Sequence, residues 1–571
     1  MVEKIDGIFS EYLDIIMKRQ LLDRTLWKKC VDVFSSGIDN PDAGWRGEYW
    51  GKMMRGACLV YQVTRSEELL SVLTEAVEGL LGKQEKSGRI SSYREDDEFY
   101  GWDMWSRKYV MTGLQHFSDI CLDEELKGRI RTALAAHADY IVERIGDGKI
   151  NILETGQFWG GVNSASILEP FVRLYKDTND EKYLDFAKYI ISTGGCRDGN
   201  LIDCALKGIA PYQFPEQKAY ETMSFFEGLL AFYEVTGDRI CLEAVEKFTD
   251  AMLKTDVTVI GSCGCTHELF DNSAECQTEF TGKIMQETCV TVTLIRFLSR
   301  LYKVTGDKRL TDTIRLAALN ALSGALNING FEQFSNEKKT YLKGLLFDSY
   351  SPLCDSKRGL GIGGFKNFAD GSFFGCCACI ASAGFALYPL MSVTENADCI
   401  SVNYLLNGSF KTGFADILVE NKKITLSMAE SKSFKVRITT GDGYVNVSVS
   451  ASGKSVKTEN GFTVIDGTWS DGDVIELSAE NKFVEKQLNG KISLNYGGYA
   501  LAADESKSSY RAGMHIEFIR DESGNIVFEK AEPEAGEQVK IFAETTGGRL
   551  LLTDYAAAGQ DGRSIVSVWF A

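Results

Sequence analysis

No uncharged apolar run in the 571 residues approaches the ~20 that a membrane-spanning helix needs. The N-terminus, MVEKIDGIFSEYLDIIMKRQLLDR, lacks an apolar core with a small-residue cleavage site, so no secretory signal is read and a cytoplasmic location is expected. Basic residues are in deficit: 62 Lys and Arg against 80 Asp and Glu give a formal net charge of −18. That argues against the clustered positive charge that grips phosphate backbones or anionic membranes, so neither nucleic acid nor a membrane is an expected partner. Cysteine is absent after Cys399, and the total of 15 is odd, so complete pairing within one chain is impossible. In a reducing compartment these are thiols or metal ligands rather than a disulfide framework.

What remains is the balance of a folded globular protein, 44% hydrophobic and 25% charged, with length for roughly three or four domain equivalents. It falls into two parts with a boundary near residue 393. Before it, a degenerate unit recurs about every 58 residues, with aromatics at Tyr61, Phe117, Tyr175, Tyr233 and Tyr302. Each unit is an apolar helix ending near the aromatic, a short turn often written T-G-D, and a new helix start. Gly after one helix and Asp capping the next account for that turn. Six or so helix pairs fit, and these either close as an (α/α)6 toroid or stay an open solenoid. After the boundary the pattern becomes short and alternating. SFKVRITT, YVNVSVSAS, DVIELSAE, KISLNYGGYALAA, HIEFIRD, VKIFAET and IVSVWFA read as strands of an all-β sandwich region. Residues 394–490 and 491–571 are expected to be two such units, with a bend at Gly497-Gly498.

Two segments stand outside the repeat: residues 263–297 and 371–390. Glu287-Thr288-Cys289 offers a carboxylate and a thiol at the mouth of a helix, and Cys376-Cys377 adds two adjacent thiols. One oxygen and three sulfurs can satisfy a tetrahedral Zn²⁺ site. Zinc keeps thiolates ionised near neutral pH, and such a thiolate can act as a nucleophile. Two other readings stand beside this one: a C-x-x-C redox pair at Cys376 and Cys379, and buried inert thiols.

The run Glu287-Thr288-Cys289-Val290-Thr291-Val292-Thr293, followed by Cys376-Cys377, resembles glycoside hydrolase family 127, whose characterised members are retaining β-L-arabinofuranosidases with a zinc-bound cysteine nucleophile. The likeness extends through GEYWGK (47–52), WDMWSRKYV (102–110), SILEPFVRLY (166–175), KAYETMSFFEGLL (218–230) and WSDGDVIEL (469–477). It implies a multidomain α and β protein: an (α/α)6 barrel over 1–393 followed by β-sandwich domains. It implies Glu287, Cys289, Cys376 and Cys377 as zinc ligands, with Cys376 the nucleophile. The general acid/base is implied in the stretch similar to His267-Glu268-Leu269-Phe270, hence Glu268, with Glu275 and Glu279 as alternatives. The sequence departs from the family in histidine. Only His116, His137, His267 and His515 are present, and Lys218, Trp159 and Asn163 stand where members can carry it. That puts arabinofuranose in doubt as the sugar.

In a toroid, equivalent helix ends converge on one mouth. Trp45, Glu48, Tyr49 and Trp50, then Trp102, Asp103 and Trp105, then Gln157 and Trp159, then Tyr220 and Glu221 lie near such ends. Of these, Trp102, Trp159 and Glu221 are the expected sugar contacts, with Tyr350 in SYSPL. The expected partner is a short carbohydrate, met by a monomer or homodimer. Two other functions remain open. One is a non-catalytic carbohydrate-binding protein with a closed structural zinc. The other is an (α/α)6 enzyme of different chemistry, such as a sugar epimerase or an unsaturated-uronide hydrolase.

Overall fold

The computed structural model describes residues 1–266, 268–279, 286–335, 337–439, 441 and 443–571. The helical part begins with α1 (Ile8–Ile16) and α2 (Arg24–Asp32). Five consecutive helix pairs follow: α3 (Gly47–Thr64) and α4 (Glu67–Leu81), α5 (Asp103–Ile120) and α6 (Glu124–Val142), α7 (Leu168–Thr178) and α8 (Glu181–Ser192), α9 (Ala219–Thr236) and α10 (Arg239–Thr255), α11 (Thr288–Thr305) and α12 (Lys308–Ala317). The helix α13 (Cys376–Leu390) ends this part.

The first helix of each pair lies inside. In α3 every residue from Gly47 to Tyr61 is buried, as for a helix walled on all sides. Its outer partner α4 buries only one stripe, Leu69, Val72, Leu73, Ala76, Val77 and Leu80, the pattern of a helix with one face in water. Among the described residues, α3, α5, α7, α9, α11 and α13 each pack on the next, and α13 packs back on α3. The ring therefore closes as an (α/α)6 toroid rather than an open solenoid. Its sixth pair joins the two ends of the helical part, since α1 packs on the outside of α13. Small residues let the inner helices approach: a Cβ on Gly51 would lie 1.8 Å from the Tyr109 carbonyl oxygen of α5.

The repeat turns follow their local chemistry. Gly237 and Gly306 end α9 and α11 with φ of 73° and 68°. Asp238 and Asp307 then accept the first free N–H groups of α10 and α12. The aromatics Tyr61, Tyr175, Tyr233 and Tyr302 hold one equivalent position, each carbonyl accepting the N–H of the residue that ends its helix.

From Val393 onward the chain is strand-rich. A six-stranded sheet runs in the order Val2–Ile5, Gly408–Lys411, Asp416–Glu420, Lys423–Ser427, Val474–Asn481, Tyr444–Ala451. A five-stranded sheet orders Val393–Asn396, Cys399–Val402, Lys432–Ile438, Phe462–Trp469, Ser455–Glu459. The two bury Ile417, Val419, Ile424, Leu426, Val436, Ile465 and Trp469 in a core continuous with that of the toroid. The N-terminal strand Val2–Ile5 edges the six-stranded sheet, so the first residues of the chain lie in the sandwich. A third sheet, seven-stranded, starts at Phe483–Leu488 and has its own core around Leu494, Leu501, Ile541 and Leu552.

Three expectations need correction here. KISLNYGGYALAA is not one strand, and Gly497-Gly498 does not bend the chain between units. The two glycines, with φ of 63° and 97°, form the two-residue turn between Lys491–Tyr496 and Tyr499–Asp504, where Tyr496 pairs with Tyr499. HIEFIRD forms no strand, only isolated bridges from Phe518 and Arg520. Among the described residues no helix is long and apolar enough to cross a membrane.

Candidate active site

Closing the ring brings the N-terminal ends of the inner helices together. Cys376 and Cys377 are the first two residues of α13, and Cys289 is the second of α11, with Glu287 at the cap position. Glu287 is fixed from outside the helix as well, pairing with Tyr350 as Gln286 pairs with Ser351. The three sulfurs lie 3.6 Å (Cys289–Cys376), 3.5 Å (Cys289–Cys377) and 3.7 Å (Cys376–Cys377) apart. Glu287 Oε1 is 3.6 Å from Cys376 Sγ and 3.4 Å from Cys377 Sγ. A tetrahedron with metal–sulfur bonds of about 2.3 Å has S···S edges of roughly 3.8 Å, so the donor set has the size of a tetrahedral metal site. The other carboxylate oxygen, Glu287 Oε2, is buried with no hydrogen-bond partner among the described residues. Two helix N-termini aim their partial positive charge at this group, which favours its anionic form.

Burial pushes the Glu287 carboxyl and the Cys289 and Cys377 thiols well up from their ordinary ranges. Cys376 goes the other way. Hydrogen bonds from the Cys289 and Cys377 thiols, and then the facing Lys52 and Lys218 ammonium groups, hold its thiol well below the usual range despite burial.

Cys376 and Glu287 open into a cavity of about 180 Å³, whose lining includes Glu48, Trp102, Lys218, Glu221 and Glu268. Lys52, one turn into α3, donates to Glu48 Oε1 at 2.9 Å and sits 4.7 Å from the Tyr220 ring centre, while Trp105 Nε1 donates to Glu48 Oε2. Burial raises the Glu48 carboxyl to about 7, against the pull of Lys52. Burial opposes the Lys52 charge too, but Cys289 and Glu48 hold its pKa well above the lysine range. Across the cavity Glu268 has an unusual backbone, φ 67°, and is gripped at both oxygens. Lys218 Nζ forms an ion pair with Oε2, and Tyr350 OH donates to Oε1 at 2.8 Å. Burial and then the coulombic pull of Lys218 act on Glu221, with a net upward shift, and its Oε2 has no partner among the described residues.

Cavity size does not pick out this site. A larger cavity of about 500 Å³ opens at the opposite end of the ring, but its lining includes the ion pairs Arg296–Glu169 at 2.7 Å and Arg300–Glu169 at 3.1 Å and contains no thiol.

The model of the β-L-arabinofuranosidase, GH127 catalytic domain family matches residues 12–379. The chain belongs to glycoside hydrolase family 127. It is a glycosidase, and its substrate is a carbohydrate. Among solved structures the chain is similar to a family 127 β-L-arabinofuranosidase from Geobacillus stearothermophilus T6, at 15% identity and TM-score 0.78, over 100% of this chain and 99% of that one. A second family 127 β-arabinofuranosidase is 17% identical, with TM-score 0.76, over 100% and 96%. A third structure, titled only as a glycoside hydrolase, is 14% identical with TM-score 0.71 over the same shares. No curated protein matches the sequence.

Of the residues singled out in this family 127 sequence, the fold brings Glu287, Cys289, Cys376 and Cys377 into one cluster. It sets Glu268, Trp102 and Glu221 around the cavity beside it. Trp159 approaches through Lys218, whose Nζ lies 5.1 Å from its ring centre, and Tyr350 is held against Glu268 rather than standing in the lining. Glu275 and Glu279 are exposed and line no part of the cavity. His116 lies in the opposite cavity, His137 accepts the Ile90 N–H at 3.2 Å in the core, and His515 is exposed in the last β unit. His267 falls outside the described residues. Asn163 is buried and donates to the Gly101 carbonyl at 3.0 Å.

Two residues of the site escaped the sequence reading. Lys52 stood within GEYWGK, four residues after Glu48, and that i, i+4 spacing was the available signal. Gly364 carried none. Its carbonyl accepts from Tyr49 OH at 2.6 Å and Trp45 Nε1 at 2.8 Å, and its φ is 55°. A Cβ there would stand 2.3 Å from Cys376 Sγ. Gly364→Ala is therefore expected to push Cys376 out of the donor cluster and to cost roughly 1–3 kcal/mol of stability. Thermal unfolding and metal content, measured together, check this; a variant with wild-type values of both would show that the loop yields freely.

Proposed function

We propose that this chain is a retaining, β-L-arabinofuranosidase-like glycosidase acting on short plant-derived oligosaccharides or glycosides. Cys376 is the nucleophile, Glu268 the general acid/base, and Glu287, Cys289, Cys376 and Cys377 hold Zn²⁺. The observation that carries this reading is one small cavity faced by both Cys376 and Glu268. Ligand pockets commonly span about 300–1,000 Å³, so a cavity this small suits one sugar ring rather than a stretch of polymer. In this proposal the helical unit, residues 1–393, carries the chemistry, and units 394–490 and 491–571 support it.

When bound, zinc would keep the thiolates ionised near neutral pH and fix their direction. Cys376 Sγ attacks the anomeric carbon, forming a C–S bond as the C–O bond to the leaving group breaks. Glu268 supplies the proton that the departing oxygen takes, then removes one from the water that releases the sugar. Lys218 and Tyr350 set the direction of the Glu268 carboxylate, and the proton that Glu268 takes from the attacking water restores its acid form for the next cycle. Trp102 and Trp159 offer ring faces to sugar C–H groups, and Glu221 Oε2, without a partner among the described residues, offers an acceptor to a hydroxyl.

A panel of nitrophenyl furanosides and pyranosides tests the proposal. Hydrolysis of at least one furanoside with retention at the anomeric carbon is expected, and loss of activity when the metal is stripped. Four protein donors also suit a structural zinc centre. Sugar binding with no hydrolysis across the panel would favour that second reading, a carbohydrate-binding protein.

A further inference from the structure

The loop carrying Glu268 holds a second group of ligand-type side chains that the chemistry above does not use. Cys265, Asp271 and Cys276 bring two thiols and a carboxylate within 4.8 Å of one another. None of them lines the sugar cavity. Cys265 is buried with Ile260, Ala321 and Leu353 in the apolar cluster that joins the toroid to the last sheet, while Asp271 and Cys276 are half-buried.

The carboxylate is already aimed. Asp271 Oδ1 accepts from the Cys265 N–H at 3.3 Å and from the Ser273 hydroxyl, and Oδ2 accepts from the Thr266 N–H at 2.7 Å. Among the described residues nothing else donates to Oδ2, which leaves it one lone pair for a cation. On the other side Gln286 Nε2 lies 3.9 Å from Cys265 Sγ, a donor suited to a thiolate. Among the described residues between α10 and α11 the elements are a four-residue helical turn, Ser273–Cys276, and the short strand Gln286–Glu287. Gly261, Gly264, Glu268 and Asn272 all have positive φ. A catalytic side chain on such a loop needs an anchor close by.

We propose that Cys265, Asp271 and Cys276 form a second metal site, one that clamps the loop presenting Glu268. Two sulfurs and one oxygen select a zinc-class divalent cation over Mg²⁺ or Ca²⁺, which take oxygen donors. Water completes the tetrahedron. Binding replaces the two S–H protons, so each cation bound releases two protons to solvent. The three residues act by positioning and take no part in the sugar chemistry.

Elemental analysis of the full-length protein, loaded with zinc and freed of excess, tests the site. Two zinc ions per chain are expected. Cys276→Ser should lose one of them and keep the other, whereas Cys377→Ser should lose the other and keep this one. A wild-type count of one that disappears in Cys276→Ser but survives in Cys377→Ser would support this site and sink the zinc reading of the Glu287 cluster. Because a cysteine variant can also fail by misfolding, the wild-type protein supplies a second readout. Alkylation of Cys276, followed by peptide mass spectrometry, should be blocked while zinc is bound and restored once it is chelated. A zinc count that Cys276→Ser leaves unchanged overturns the proposal. So does a Cys265–Cys276 disulfide in the zinc-loaded protein.

Discussion

Cys376→Ser is expected to abolish turnover, a loss on the order of 10⁴-fold or more. A serine hydroxyl at this position is far harder to ionise than a thiol already flanked by Lys52 and Lys218 and by two further thiols. The same substitution removes one of four closely spaced donors, so on the zinc reading proposed above metal content is expected to fall as well, and lost activity alone would be ambiguous. Assaying the variant in excess zinc separates the two effects. If Cys376 is the nucleophile, restoring the metal leaves the enzyme inactive. Recovery of substantial turnover would reduce Cys376 to a metal ligand and transfer the nucleophile to another group.

Glu268→Gln addresses the other half of the chemistry, because Glu268 lies outside the four-donor cluster. The variant should keep its zinc and lose roughly 10²–10⁴-fold on substrates with poor leaving groups, the usual contribution of general acid catalysis. An activated aryl glycoside needs no proton, so its first step should survive. With no base to activate water, the thioglycosyl-enzyme should then accumulate, and intact-protein mass spectrometry should find one added sugar on Cys376. The substituted amide can still accept from Tyr350, but it leaves the buried Lys218 ammonium without its carboxylate partner. A thermal melt is therefore run beside the assay to show that the loss is chemical. Wild-type turnover of ordinary substrates would remove the role from Glu268, and the exposed positions of Glu275 and Glu279 make them poor heirs to it.

The parts legible in the sequence were those with local causes. Gly237 and Asp238, or Gly306 and Asp307, end one helix and start the next through their own backbone preferences, so the repeat and its period could be read directly. Alternation such as that of DVIELSAE, which forms the strand Val474–Asn481, similarly marks a strand with one buried face. Glu287, Cys289, Cys376 and Cys377 could be named because a family likeness tied together residues almost 90 positions apart, where chemistry alone left several readings open.

Tertiary structure decided everything that depends on distant segments meeting. Ring closure needs α13 to pack on α3 with α1 behind it, and no property of any one helix announces that. Val2–Ile5 joins a sheet whose other strands begin at Gly408, because an edge strand is placed by its partner. Gly364 matters only because Cys376 Sγ lies where its Cβ would be. The grip of Lys218 and Tyr350 on Glu268, and the approach of Cys276 to Cys265, likewise exist only in the folded chain. Local sequence sets which elements form, through caps and periodicity acting within a few residues. Which charged and sulfur-bearing side chains share one small, poorly solvated volume is set by packing over the whole chain, and the chemistry of this protein lies there.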